Sequence, residues 1–168
     1  VTVVSGGALG IDAAAHKGAL TEGGKTIAVL AGGIEQVYPS VHHGLFARIR
    51  ESGCLVSQHA IGSRPNGYKF LNRNHLIAGL SLGVLVVEAG LSSGALITAN
   101  QALEHGRLVY AVPGPIDRPT SAGTNPRIQQ GAKLVASAGD SIDERHSRFP
   151  EVMYTTDVAD KTATAAPN

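Results

Sequence analysis

The sequence predicts an α/β fold: a doubly wound, mostly parallel sheet with helices on both faces, Rossmann-like in arrangement. Three observations carry this reading. Short Val/Ile/Leu/Ala runs alternate with helical segments along the chain. Glycine, 21 of 168 residues, stands at most of the junctions between them, where tight strand-to-helix turns are needed. Aromatic residues make up only 4% of the chain, which fits a parallel α/β sheet built from short aliphatic runs with tight connections. The length suits one domain with one good core.

Residues 1–4 read as a strand, and a domain that begins inside a strand is expected to have lost what preceded it. The turn Ser5-Gly6-Gly7-Ala8-Leu9-Gly10 leads to a helix through Ala13, Ala14, Ala15, Ala19 and Leu20, which Gly23-Gly24 ends. Residues 26–30 form the second strand, followed by Ala31-Gly32-Gly33 and a turn at Tyr38-Pro39-Ser40. An amphipathic helix over 43–52 turns Leu45, Phe46 and Ile49 inward, and Gly53 stops it. Residues 54–57 are the third strand and 62–67 a loop by composition. Residues 68–75 lead into a short helix with Leu76, Ile77 and Leu80 inward. The most apolar run, residues 84–87, reads as a strand buried on both faces. Ser92, Ser93 and Gly94 begin the next helix, Ile97, Ala99 and Leu103 give its period, and Gly106 is its C′ residue. Residues 108–112 are the fifth strand, stopped by Pro113-Gly114-Pro115. A long loop (116–125), a short helix (126–130), a short strand (133–136) and a helical turn (142–148) complete the domain, expected over 1–148. From Pro150 the composition shifts to Thr, Ala and Asp, so 149–168 is expected to be a linker or tail.

A formal net charge of +1 excludes a polycation, so any nucleic-acid contact needs a local basic patch. The lone Cys54 reads as a small buried residue in a reducing compartment. No signal peptide or membrane-length apolar segment stands in the sequence, and a cytoplasmic protein with no membrane partner is expected.

In parallel α/β sheets, ligands bind beyond the carboxyl ends of the strands. The small-residue turns at Ser5-Gly6-Gly7, Ala31-Gly32-Gly33, Ser92-Ser93-Gly94 and Pro113-Gly114 all follow strands, so one rim collects them into an open groove lined by backbone N–H groups. The first turn resembles the dinucleotide fingerprint G-x-G-x-x-G with serine at the first glycine. No acidic residue ends the following strand to hold a ribose, and Glu35 comes only after two glycines, so NAD is rejected. A phosphate on this turn, or merely a tight turn that needs glycine, both fit. Ser93 and Gly94 equally fit an anion site at a helix start or ordinary capping. Asp12 complements a helix dipole. Lys69, Phe70, Asn72, Arg73 and Asn74, with His75 beside them, combine phosphate-pairing cations, a stacking ring and base-reading amides, the composition of a single-strand binding segment. The alternative is a solvated helix entry with Phe70 in the core. No HxH, HExxH, G-x-S-x-G or P-loop lysine pattern occurs, and no acidic pair is evident, so neither a metal, a cofactor nor a catalytic residue is assigned. Such a rim suits binding better than bond breaking.

Four segments then carry a family resemblance: VVSGGALGIDAAAHKGAL (3–20), TIAVLAGGIEQVYP (26–39), FLNRNHLIAGLSLGVLVVEAGLSSGALITANQAL (70–103) and VYAVPGPIDRPTSAGTNPRIQQGAKLV (109–135). Their order and number strongly resemble the DNA-processing protein A (Smf) family of natural transformation and recombination. The resemblance implies an extended Rossmann-like domain that binds single-stranded DNA, protects incoming strands, helps load the RecA recombinase, forms a homodimer and is not an enzyme. Carried over by position, it implies a DNA pocket of Ser5, Gly6, Gly7, Phe70, Arg73, Asn74, Ser93 and Gly94, with Lys69 near a basic position and His75 where many members have arginine. The family's preceding strand–helix pair and its flanking helical and winged-helix domains have no counterpart in this sequence. The rival is an enzyme of the lysine-decarboxylase-like nucleotide phosphoribohydrolase type, which resembles Gly-Gly-x-Gly-Thr-x-x-Glu at the helix start. Ser92 to Thr98 carries no such glutamate.

Overall fold

The computed structural model describes residues 1–142. The tail expected over 149–168 lies outside the described residues, as does most of the helical turn expected over 142–148. Within them the chain runs β1 (Val3–Ser5), α1 (Ile11–Thr21), β2 (Thr26–Leu30), α2 (His43–Ser52), β3 (Cys54–Ser57), α3 (Gly67–Leu80), β4 (Gly83–Val86), α4 (Gly94–Glu104), β5 (Leu108–Ala111), α5 (Thr124–Gln129) and β6 (Lys133–Leu134). Short 3-10 turns stand at Ser40–His42 and Pro119–Ser121.

Every ladder is parallel, as the strand–glycine–helix alternation predicts. The strands pair as two sheets of three, β1-β2-β3 and β4-β5-β6, rather than as one continuous sheet. The division falls where the chain crosses from β3 to β4 through α3. That helix packs on β1 and β2 and also against α4, so it holds the two sheets together without a ladder between β1 and β4. Ala28 and Leu30 of β2 belong to a core closed by Ala13 of α1 and by Leu45, Phe46 and Ile49 of α2. Val29, fully buried, points to the opposite face by strand alternation, where α3 packs. Helices therefore cover both faces. The second core joins Ala78 of α3, Ala99 and Ala102 of α4, and Val86, Ala89 and Val109.

Several local expectations are corrected. Residues 68–75 do not lead into a helix; they form its first half. Asn66 caps α3 by accepting the Lys69 backbone N–H at 3.0 Å, which starts the helix early. Leu80 is 51% exposed rather than inward, because the buried side of α3 runs through Arg73, Asn74 and Ala78. β4 is not buried on both faces: Leu85 is exposed and only Val86 is buried, since α4 is the helix that packs closely on β4 and it covers one face. Cys54 is exposed, as the first residue of the edge strand β3. The short helix near 126 begins earlier, at Thr124, and residues 138–142 are already helical.

Candidate functional site

α3 is the element that draws the rim together. Its Arg73 is only 5% exposed and inserts between the turn after β1 and β2. One guanidinium nitrogen, Nη1, donates to Gly6 O at 2.8 Å and to Val29 O at 2.5 Å, while Nε donates to Asn74 Oδ1 at 3.2 Å. Burial pushes the guanidinium pKa down, and the Asp12 carboxylate opposes that shift. A cation this buried is normally paired, and here carbonyl dipoles take the place of a counter-ion. Asn74, adjacent and also buried, reaches the carbonyl of Gly94 at 3.5 Å. Two successive residues of α3 thus touch the turn after β1 and the start of α4.

The first turn needs its glycines for space as well as for conformation. A Cβ on Gly6 would fall on the Arg73 guanidinium, and one on Gly7 would fall on the Phe46 ring, with φ +71° at Gly7. Gly7 O is held by His42 Nδ1 at 2.9 Å, and Asp12 Oδ2 accepts the Ala8 N–H at 3.1 Å. Asp12 therefore caps the turn in front of α1, a local use of a carboxylate at a helix start. Both glycines are buried, and Ser5 before them is half-buried.

At the other turn Ser93 is the N-cap of α4. Its hydroxyl accepts from Ala95 N at 3.2 Å and its carbonyl from Leu96 N at 3.0 Å. Capping is thus realised. Gly94 at the helix start is exposed, and Thr98 Oγ1 donates to its carbonyl at 3.2 Å.

Phe70 lies half-buried beside Arg73, whose Cζ is 5.9 Å from the ring centroid, a cation–π distance. The ring of Tyr38 packs against Phe70 at 5.5 Å and 55°, and Tyr38 is 55% exposed. In the sequence Tyr38 stands only as part of a turn. The signal that could have exposed its role is a large ring in a polar loop that follows a strand, on the ligand-binding rim. Lys69 is held by two neutral acceptors, Ser63 Oγ at 2.6 Å and Arg64 O at 2.7 Å, and among the described residues no carboxylate pairs with it there. Asn72 is half-buried on the same helix. Glu35, beyond the glycines after β2, accepts from Gly62 N at 2.6 Å and from Gln36 Nε2 at 3.0 Å. The Gln36 side chain and these backbone groups hold its carboxyl below the usual range. It ties the β3–α3 loop to the β2 loop.

Of the expected residues, the structure brings Gly6, Phe70, Arg73, Asn74 and Gly94 into one connected cluster, with Gly7 beneath and Ser93 beside it. Lys69 stands at the margin, anchored on the β3–α3 loop. The arrangement offers a cation, an aromatic edge and an exposed helix start along one rim.

The family model for DNA recombination-mediator protein A matches residues 1–146. The Escherichia coli K12 protein Smf is 49% identical over 144 residues, covering 85% of this chain and 38% of its own length. The X-ray structure of DNA processing protein A from Streptococcus pneumoniae superposes with a TM-score of 0.80 at 44% identity, covering 86% of this chain and 51% of that one. DNA processing protein A from Helicobacter pylori, a protein characterised by a single-stranded DNA binding mode, superposes at 0.77 with 29% identity over 85% of this chain and 65% of its own. The chain thus spans from about two fifths to two thirds of these relatives.

Proposed function

The chain belongs to the DNA recombination-mediator protein A family, and from that premise we propose that it binds single-stranded DNA along the carboxyl rim of its strands. The observation that carries the reading is the bridge made by Arg73 and Asn74, which sets the turn after β1 and the start of α4 on one surface. The start of α4, where Gly94 is exposed behind the Ser93 cap, receives a phosphate. Lys69 adds charge from the margin, and Phe70 with Asn72 faces a base. Arg73, being buried, acts chiefly by holding Gly6 and Gly7 in place and by placing positive charge under the groove. The strand is bound and protected without bond breaking, in the cytoplasm, and is passed to the RecA recombinase during recombination or natural transformation. The protein works as a homodimer. Among the described residues no helix is long and apolar enough to cross a membrane. The likeness of the H. pylori protein, with its single-stranded DNA binding mode, supports the ligand class.

The test is a fluorescence-anisotropy titration with labelled oligo-dT and with matching duplex at two salt concentrations. The expected result is tighter binding to the single strand that weakens as salt rises. Phe70→Ala should cost about 1–3 kcal/mol of that affinity if the ring stacks a base. Equal binding to duplex and single strand, or none to either, would sink the proposal for this chain.

A further inference from the structure

A cleft of about 210 Å³ opens at the carboxyl ends of β4 and β5, between the β4–α4 and β5–α5 loops and separate from the Arg73 cluster. Its walls carry Glu88 and Arg118, both exposed, and the buried hydroxyl residues Ser121 and Thr124, at 6% and 1% exposure. Val112 and Pro113 give it an apolar side. Hydrogen bonds frame the cleft. Asn125 grips Gly114 on both backbone atoms, accepting its N–H at 3.1 Å and donating to its carbonyl at 2.9 Å. Ala89 N donates to Thr120 O at 2.8 Å and Gly123 N to Ala89 O at 2.8 Å, which fixes the β5–α5 loop against the β4–α4 loop. A Cβ on Gly114 would collide with the Ser121 hydroxyl, so glycine there leaves the hydroxyl its place. Neither Glu88 nor Arg118 takes part in the contacts that build the rim cluster.

We propose that this cleft is a base-reading subsite that takes cytosine from the bound single strand. The inference rests on the single-stranded DNA reading above and deepens it by naming a base. The volume suits one planar ring, and the rigid frame means that little is lost in ordering it. Cytosine carries an amino donor, N4, beside two acceptors, N3 and O2. Glu88 accepts from N4, while Arg118 and the Ser121 hydroxyl donate to the acceptors. Thymine presents O4 in place of the amino group, which sets lone pairs against the Glu88 carboxylate. Glu88 opens the loop that Ser93 closes, so a strand with a phosphate at the start of α4 has its neighbouring base within the same loop's reach.

The experiment compares labelled oligo-dC and oligo-dT of equal length by anisotropy at one salt concentration. The expected result is a Kd for oligo-dC about fivefold lower, the lower end of what one well-placed base-edge pair discriminates. Glu88→Gln should bring the ratio close to one. Asp117→Asn, which removes the same charge from the β5–α5 loop outside the cleft, should leave the ratio as it was. Binding of both oligonucleotides with equal Kd, or a ratio that survives Glu88→Gln, would overturn the cleft and leave the single-stranded DNA reading standing. If neither oligonucleotide binds, that reading fails, and the cleft is judged by deoxycytidine monophosphate alone. Shifts of the Glu88 and Ser121 amide resonances with this nucleotide and not with thymidine monophosphate would support the cleft, and their absence would overturn it.

Discussion

Around β1–β3 the interior is filled by Leu45, Phe46 and Ile49 against Ala13, Ala28 and Leu30, whereas around β4–β6 it is filled by Ala78, Ala89, Ala99 and Ala102, with Val86 and Val109 as the larger members. The first half is a core of bulky side chains supplemented by buried polar ties. His16 bonds Thr26, His42 bonds Gly7, and Arg73 bonds Gly6 and Val29. The second half achieves burial by close approach: alanines let α3 and α4 lie directly against one another. That seam is what brings Asn74 to Gly94 and so joins the two turns of the proposed site. Volume holds the first half of the rim, and the lack of it holds the second.

The contrast is broken most strongly by emptying the first core. Phe46 is 1% exposed and forms the floor beneath Gly7. Phe46→Ala should cost about 3–5 kcal/mol by cavity creation and lost contact. Urea denaturation measures it. A cost under about 1 kcal/mol would mean that the core relaxes around the gap and that the turn does not depend on the ring.

The second half should fail in the opposite direction, by added volume. Ala99 is fully buried on the side of α4 that lines the second core. Ala99→Leu should cost about 1–3 kcal/mol by overpacking. Because the α3–α4 seam sets the Asn74–Gly94 contact, it should also weaken oligo-dT binding in the folded fraction. Loss of stability with unchanged binding would separate the seam from the site, and a neutral result would show the seam to be elastic.

The same contrast explains what was legible in the sequence. The boundaries of β2, α2 and β3 follow from pattern alone, because α2 carries large residues at helical spacing and glycine stops it at Gly53. In α3 and α4 the large residues mislead. Leu80, Ile97 and Leu103 are exposed, while Ala78, Ala99 and Ala102 do the packing. A hydrophobic period weighs residues by size and affinity for oil, and it cannot see burial achieved by smallness. The family resemblance placed Arg73, Asn74 and Gly94 together, which spacing alone could not do, since the contacts join residues 67 and 20 positions apart. What neither reading gave was the inward commitment of Arg73, the ring of Tyr38 on Phe70, and the division into two sheets. Each depends on where α3 crosses, a tertiary fact with no local sign.

The smallest expected effect concerns the polar ties of the first half and is read by pH. His16 is fully buried, with Nδ1 2.6 Å from Thr26 Oγ1. The Thr26 hydroxyl spends its one proton on Val3 O at 2.9 Å, so it accepts from His16 and fixes the Nδ1–H tautomer. Nε2 is then a bare nitrogen, buried without a hydrogen-bond partner among the described residues. Protonation would place a buried N–H⁺ there with nothing to accept it. Burial accordingly lowers the His16 pKa below 6.5; the nearby Asp12 charge opposes this, and His42 and Arg73 reinforce it. The folded state thus binds this proton less readily than the unfolded chain. The tie is fully present above pH 6.5, weakens as pH falls through that value, and is lost completely once pH passes below the folded pKa. The denaturation midpoint should therefore fall between pH 7.5 and 5.5, and His16→Asn, less stable at both, should show a shallower fall. Equal slopes in the two proteins would remove His16 as the source of the pH dependence. The first half would then keep its bulky core as the feature that sets it apart, without a titrating tie.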